Sequence, residues 1–244
     1  MAENKDFCQE ILQVILNNKE LVVLSTNSQF STKNLQGRSC MLDAKCQLED
    51  GRIVNIEVQR ADDDDHQRRV RYNGALLTTN LTNPSTKFAE IPDVIVVFIS
   101  KFDVFKSSRP LYHIDRIIRE TGKAVDNGFE EVYVNAEIDD DSDVAKLMNV
   151  FNTDTAYDDE NFPVTSAYKR RYKTTEEGVR EMCEVIERNR AEGRAEGRAI
   201  GLIEGKAELI TNMLKNQMKP EQIAKIANMT VEQIISIGKK AAVL

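Results

Sequence analysis

Asp43, Glu57 and Gln59 are the residues of this chain whose types and spacing could do chemistry. They lie in the stretch Cys40 to Arg60, CMLDAKCQLEDGRIVNIEVQR, where two strand-like runs flank the turn tripeptide Glu49-Asp50-Gly51. A three-residue loop ending in a left-handed glycine pairs Leu48 with Arg52, Cys46 with Val54, Asp43 with Glu57 and Met41 with Gln59. One face of the hairpin then carries Met41, Asp43, Lys45, Gln47, Ile53, Asn55, Glu57 and Gln59. The other carries Leu42, Ala44, Cys46, Leu48, Val54, Ile56 and Val58, with Arg52 at the turn. A two-residue Asp-Gly loop would shift the register by one and send the two carboxylates to opposite faces, so the apolar pattern favours the longer loop.

Two carboxylates on adjacent strands can offer oxygens to a hard divalent cation such as Mg2+ or Mn2+, with the carbonyl of Val58 as a further ligand. A cation held there would acidify a bound water and polarise a phosphoryl oxygen. The same face also reads as the polar, solvent-facing side of a half-buried hairpin, and the spacing leaves both readings open. Lys45 shares the face of Asp43 and is a candidate source of positive charge, or a lysine whose head simply reaches water.

The flanking elements must position that hairpin. Apolar spacing predicts a helix over 5–17, a short strand at Val22 to Leu24, and a polar loop or irregular edge from Ser25 to Gln36. A helix follows over 61–81, with Asp62 to Asp65 in its first turn and Arg68, Arg69 and Arg71 further in, matching the helix dipole. Val70, Leu76, Leu77 and Leu81 form its apolar stripe. IPDVIVVF (Ile91 to Phe98) reads as a strand buried on both faces. Tyr112 to Ile118 is a weaker strand, Thr121-Gly122-Lys123 a turn, Val132 to Ile138 a strand, and 143–151 a helix. The result is an α/β core with a mixed sheet over residues 1–165. After it come a helical connector over 166–206, holding the tetrapeptide repeat AEGR-AEGR-AIGL-IEGK, and a small helical module over 207–244. The repeat's glycines fall four apart, which suits either close helix–helix approach in a coiled-coil-like homo-oligomer or a flexible linker. In the module, EQIAKIANMTVEQI has helix–turn–helix spacing, which suits DNA contact through Gln233, Lys239 and Lys240 or helical packing.

A formal net charge of −7 argues against a nonspecific nucleic-acid coat, so any DNA contact needs a local basic patch. Four cysteines without a C-x-x-C pair, and two isolated histidines, argue against zinc and against a disulfide framework. No signal peptide or membrane span is legible, which makes a bacterial-type cytoplasm the expected location.

LDAKCQLEDGRIVNIEVQ (Leu42 to Gln59), followed by HQRRVRYNGALL (His66 to Leu77), resembles the Rpn family of recombination-promoting nucleases and transposases, a branch of the PD-(D/E)XK nuclease superfamily. VIVVFI, YHIDRI and the glycine-and-charge repeat fall where that family has them. The resemblance covers roughly residues 8 to 205 and is most specific between 40 and 80. It implies a restriction-endonuclease-like core and a Mg2+-dependent DNA endonuclease linked to recombination or mobile elements. By that match Asp43 is the metal-binding aspartate and Glu57 the second acidic ligand. Gln59 stands at the superfamily's lysine position, where this family usually has glutamine. Glu10, inside the first helix, is a further candidate acidic ligand. Arg68, Arg69, Arg71 and Tyr72 are candidates for the DNA phosphates, although not all can share one helix face. A competing class keeps the fold but acts by binding DNA, by regulation or by oligomerisation without turnover.

Overall fold

The hairpin forms in the register that its apolar pattern requires. In a computed structural model, which describes residues 4–32, 40–62, 64–176 and 205–241 together with positions 180, 198, 201 and 202, strand β2 (Cys40–Leu48) pairs antiparallel with β3 (Ile53–Gln59). Cys46 sits opposite Val54 and Ala44 opposite Ile56. Gly51 closes the loop at φ +90, a backbone conformation in which glycine carries no steric cost.

The hairpin is the middle of a six-stranded mixed sheet in the order β1-β2-β3-β4-β8-β5. β3 runs parallel to β4 (Val94–Ser100), which runs parallel to β8 (Phe129–Asn135). β5 (Leu111–Ile114) closes one edge antiparallel to β8, and a separate two-stranded ribbon, β6 (Arg116–Ile117) with β7 (Ala124–Val125), turns at Gly122. The segment expected as one weak strand over 112–118 is thus divided between β5 and β6. At the other edge, residues 25–32, expected as a loop or irregular edge, belong to β1 (Val23–Thr32), an edge strand that pairs along β2 with a register shift between Val23 and Ser25. An edge strand pairs on one side only, so its side chains can stay polar and hide the period-2 signal.

Helices cover both faces. α1 (Lys5–Ile15) packs Phe7, Ile11, Leu12 and Ile15 onto Ala44, Cys46, Val54 and Val97, joined by Leu147 and Met148 of α3 (Asp143–Asn152). On the opposite face α2 (His66–Leu81) packs Val70 and Leu77 onto Ile53, Val94, Val96 and Phe98. β4 therefore buries alternate residues in both layers, as a continuous apolar run predicts. α2 begins five residues later than expected: Asp65 caps its N-terminus, taking the Arg68 N–H at 3.1 Å. Residues 62–65 precede the helix instead of forming its first turn. α4 (Pro163–Thr174) begins three residues before the helical connector expected from 166. Its buried Lys169 donates to the carbonyls of Val150, Thr153 and Ala156 and so closes the C-terminus of α3.

The chain separates into two compact units, Met1–Arg171 and Tyr172–Leu244. In the second, a helix over 205–215 joins α6 (Pro220–Ala227) and α7 (Val231–Lys240) around Ile210, Leu214, Ile223 and Ile234. Gln233, considered above as a DNA-reading residue, closes a capping box instead, its Oε1 accepting the Thr230 N–H at 3.0 Å. Most of the glycine repeat lies outside the described residues. Among the described residues no helix is long and apolar enough to cross a membrane.

α2 approaches the sheet most closely at Gly74, where a Cβ would fall 2.2 Å from the Phe129 ring and 3.3 Å from Val96. Phe129 is itself held under the Arg116 guanidinium at 4.9 Å. Gly74→Ala is therefore expected to lower unfolding stability by about 1–3 kcal/mol despite alanine's better helix propensity. Equal denaturant midpoints for parent and variant would contradict this packing.

Candidate active site

The site is made by a fault in the β2–β3 ladder. Ala44 and Ile56 are the last paired residues. In an antiparallel ladder the next hydrogen-bonded pair would be Leu42 with Val58, two residues further along each strand. Instead the Val58 N–H goes to Asp43 Oδ2 at 2.8 Å. β2 turns about Asp43 as a result: Ala44 joins the core under α1, whereas Leu42 joins the one under α2. Leu42 was expected on the face of Ala44, and Val58 with it. Val58 is 54% exposed. Within a strand a residue's C=O points to the same side as its N–H, so the Val58 carbonyl also faces the gap.

Glu57 lies deep beside this gap, 1% exposed on the α2 side of the sheet. Its Oε1 accepts from Asn55 Nδ2 at 2.9 Å. Its Oε2 is buried without a hydrogen-bond partner. The nearest cation is Arg69, whose Nη2 stands 3.6 Å from that oxygen, an ion-pair distance too long for a hydrogen bond. The other arm, Nη1, donates to Gln59 Oε1 at 3.1 Å, and Gln59 Nε2 donates to the Ala61 carbonyl at 2.9 Å. One guanidinium therefore spans Glu57 and Gln59.

The electrostatics follow from this arrangement. Burial and then the charge of Asp43 raise the Glu57 pKa to about 7, against the opposing help of Asn55 and Arg69. Burial likewise raises Asp43, opposed by the Val58 N–H and by Arg69. Two carboxylates share one arginine, so the site is short of positive charge. Glu57 Oε2 is buried with no hydrogen-bond partner, and Asp43, an exposed residue, accepts the Val58 N–H through Oδ2. A buried carboxylate oxygen left unmet beside a second carboxylate fits a hard cation. Among the described residues no three His, Cys, Asp or Glu side chains cluster as metal ligands, so a cation here would rest on two carboxylates, backbone carbonyl and water.

Of the remaining candidates, the structure brings some to the site and not others. The Lys45 ammonium lies over the Phe30 ring, 4.3 Å from its centroid, with its pKa lowered by desolvation. Glu10 belongs to the other face of the sheet. Its two oxygens accept the N–H groups of Val164 and Thr165 at 3.0 and 2.7 Å, capping α4, so its expected metal role is replaced by a structural one. Arg68 is turned back to Asp65 at 3.2 Å. Arg71 lines a separate cleft of 740 Å³ with Phe88 and Arg116. Tyr72, half exposed, follows one turn after Arg69 on the same flank of α2.

Two residues were missed by sequence reasoning. Asn55, fully buried, fixes Glu57 from two places back on the same strand face, a relation that strand periodicity alone could have suggested. His66 was read as isolated. It is 4% exposed, with Nε2 3.1 Å from Asp62 Oδ1 and its ring against Phe98 and Phe102. Asp62, whose side chain is exposed, is therefore a partner of His66.

A family model described as PD-(D/E)XK nuclease family transposase matches residues 1–156, a span that contains the hairpin, α2, β4 and β8. No curated protein and no solved structure matches the chain.

The raised Glu57 pKa makes stability depend on pH with a definite sign. The folded state binds the proton more tightly, so this contribution is present below the ordinary value of 4.5 and is lost as pH rises through about 7. Glu57→Gln removes the titration. Its stability advantage over the parent in EDTA is expected to grow by on the order of 1–3 kcal/mol between about pH 5 and pH 8. Thermal melts that change in parallel over this range would exclude the shift. Glu10→Ala is expected to cost about 1 kcal/mol through the lost cap while leaving Mn2+ affinity unchanged, as measured by titration calorimetry.

Proposed function

The chain belongs to the PD-(D/E)XK nuclease family transposases, and from that premise we propose that it is a divalent-metal-dependent DNA endonuclease hydrolysing phosphodiester bonds in recombination or mobile-element processes. The observation that carries this reading is the pair Asp43 and Glu57, close enough at one ladder fault for the charge of Asp43 to act on Glu57, whose Oε2 is buried without a hydrogen-bond partner. Asp43, Glu57 and the Val58 carbonyl would hold Mg2+ or Mn2+, and the cation when bound would supply Lewis acidity toward a phosphoryl oxygen and a water.

The protein's own residues do the rest. Asn55 holds Glu57 through Oε1, so that Oε2 and not Oε1 is left without a hydrogen bond. Glu57 is close to half protonated near neutral pH, so loading the site displaces a proton and tightens as pH rises. Gln59 has no charge to offer a developing phosphorane. Its amide would orient the attacking water or a phosphate oxygen by hydrogen bonding. Arg69 is the cation of α2 placed to meet the DNA backbone at the site, with Tyr72 one turn away.

One observation favours a second reading, a nuclease-fold protein that binds DNA without cleaving it: Gln59 is engaged on both ends of its amide. The two separate in one assay. Supercoiled plasmid is incubated with Mg2+ or Mn2+ at low salt, beside Asp43→Asn. Nicking by the parent is expected, reduced roughly 10²-fold or more in the variant. Nicking that persists unchanged in the variant would remove Asp43 from the site. Undiminished DNA binding with no nicking by the parent would establish the second reading.

A further inference from the structure

The arginine that neutralises this site also stands where its ligands must arrive. Arg69 is 38% exposed, on a helix flank, and its fork reaches inward to Glu57 Oε2 and Gln59 Oε1. Only one of those contacts is a hydrogen bond; the contact to Glu57 is held by charge across 3.6 Å. Glu57 itself is buried and hydrogen-bonded by Asn55. A cation approaching Glu57 Oε2 therefore meets a buried carboxylate whose present counter-ion is a partly exposed side chain able to leave.

We propose that Arg69 is a displaceable internal counter-ion, which holds Glu57 while the site is unloaded, yields it to a divalent cation, and then pairs with a DNA phosphate. This rests on the endonuclease reading of the same site. The physical reason is exclusion between like charges. Once a dication shares Glu57, a guanidinium beside it is repelled, and a phosphate of bound DNA is an anion that it can turn to. Arginine suits both states, because its planar fork matches carboxylate and phosphate alike. Metal and DNA would then favour each other's binding through one side chain, and by linkage the coupling runs equally in both directions. Neither ligand alone would complete the site, which restrains turnover until both are present.

The direction of one effect distinguishes this from simple positioning. If Arg69 only held Glu57 in place, its removal would weaken metal binding. As a counter-ion it competes, so its removal must strengthen metal binding. Mn2+ affinity is measured by electron paramagnetic resonance on the full chain without DNA, for the parent, Arg69→Met, Arg69→Lys and Asp43→Asn. About a 5-fold gain or more is expected for Arg69→Met, with Arg69→Lys near the parent because it keeps the charge. In parallel, anisotropy of a labelled DNA duplex is read in EDTA and in Ca2+. Addition of Ca2+ should tighten DNA binding by the parent, and Arg69→Met should lose most of that gain. Unchanged or weaker Mn2+ binding by Arg69→Met, with Asp43→Asn impaired, would overturn the counter-ion proposal alone. Equal Mn2+ binding by Asp43→Asn and the parent would overturn the metal site beneath it. Arg69 is on the surface, and a folded Arg69→Lys keeps the comparison open should Arg69→Met lose stability.

Discussion

The hydrogen bond from the Val58 N–H to Asp43 Oδ2 decides the geometry of everything around it. A strand pair normally satisfies each inward N–H with a backbone carbonyl. Here a side chain takes that place for one position, and β2 no longer has to follow β3. The strand can then turn, deliver Leu42 to the α2 layer, and leave a gap into which Asp43, the Val58 carbonyl and Glu57 all face. The Val58 donor itself remains satisfied. The consequence of the fault is instead the crowding of two carboxylates with raised pKa values.

That crowding sits in well-packed surroundings. Glu57 sits between β2 and β4, and β4 is buried on both faces. Asn55 holds one of its oxygens, and Phe98, its partner in the parallel ladder, packs against His66 at the start of α2. A buried acid with incomplete compensation costs stability at neutral pH, and the α1 and α2 layers must offset it. Local discord of this kind, inside a fold whose other elements agree with their sequence, is expected where chemistry and not packing sets the residue.

Much of this was legible in the residues alone. The register followed from Gly51 and from the alternation of Ala44, Cys46, Val54 and Ile56, because one wrong step would have buried Lys45 and exposed Cys46. β4 was legible because a doubly buried strand has no polar positions. β1 was not, since an edge strand with solvent on one side gives no apolar rhythm. Glu10 and His66 could not be placed because their partners, Val164 and Phe102, are brought near only by the tertiary fold. Strand alternation likewise put Leu42 and Val58 on the wrong side, since it assumes a ladder that continues, and the ladder stops at the site. The helix arginines were legible as a set but not as individuals. A guanidinium's destination depends on which flank of α2 meets β3, and Arg69 is on it while Arg71 faces another cleft.

The pairing of Gln59 with Arg69 bears on a departure from the wider superfamily pattern, in which a lysine stands at the position of Gln59. A lysine has donors only, so it could not accept the Arg69 Nη1 hydrogen bond that Gln59 Oε1 accepts at 3.1 Å. Its ammonium would also confront the guanidinium, leaving two cations within the reach of one buried carboxylate. Glutamine and arginine are therefore complementary, and the site's one nearby positive charge is carried by the helix and not by the strand. The two locations are not equivalent. A strand lysine beside Glu57 would be held by the same ladder that fixes the carboxylate. A helix arginine with more than a third of its surface exposed can exchange partners without disturbing the sheet. Under the counter-ion proposal, a charge carried on α2 and not on β3 becomes an element of the site whose position depends on what is bound.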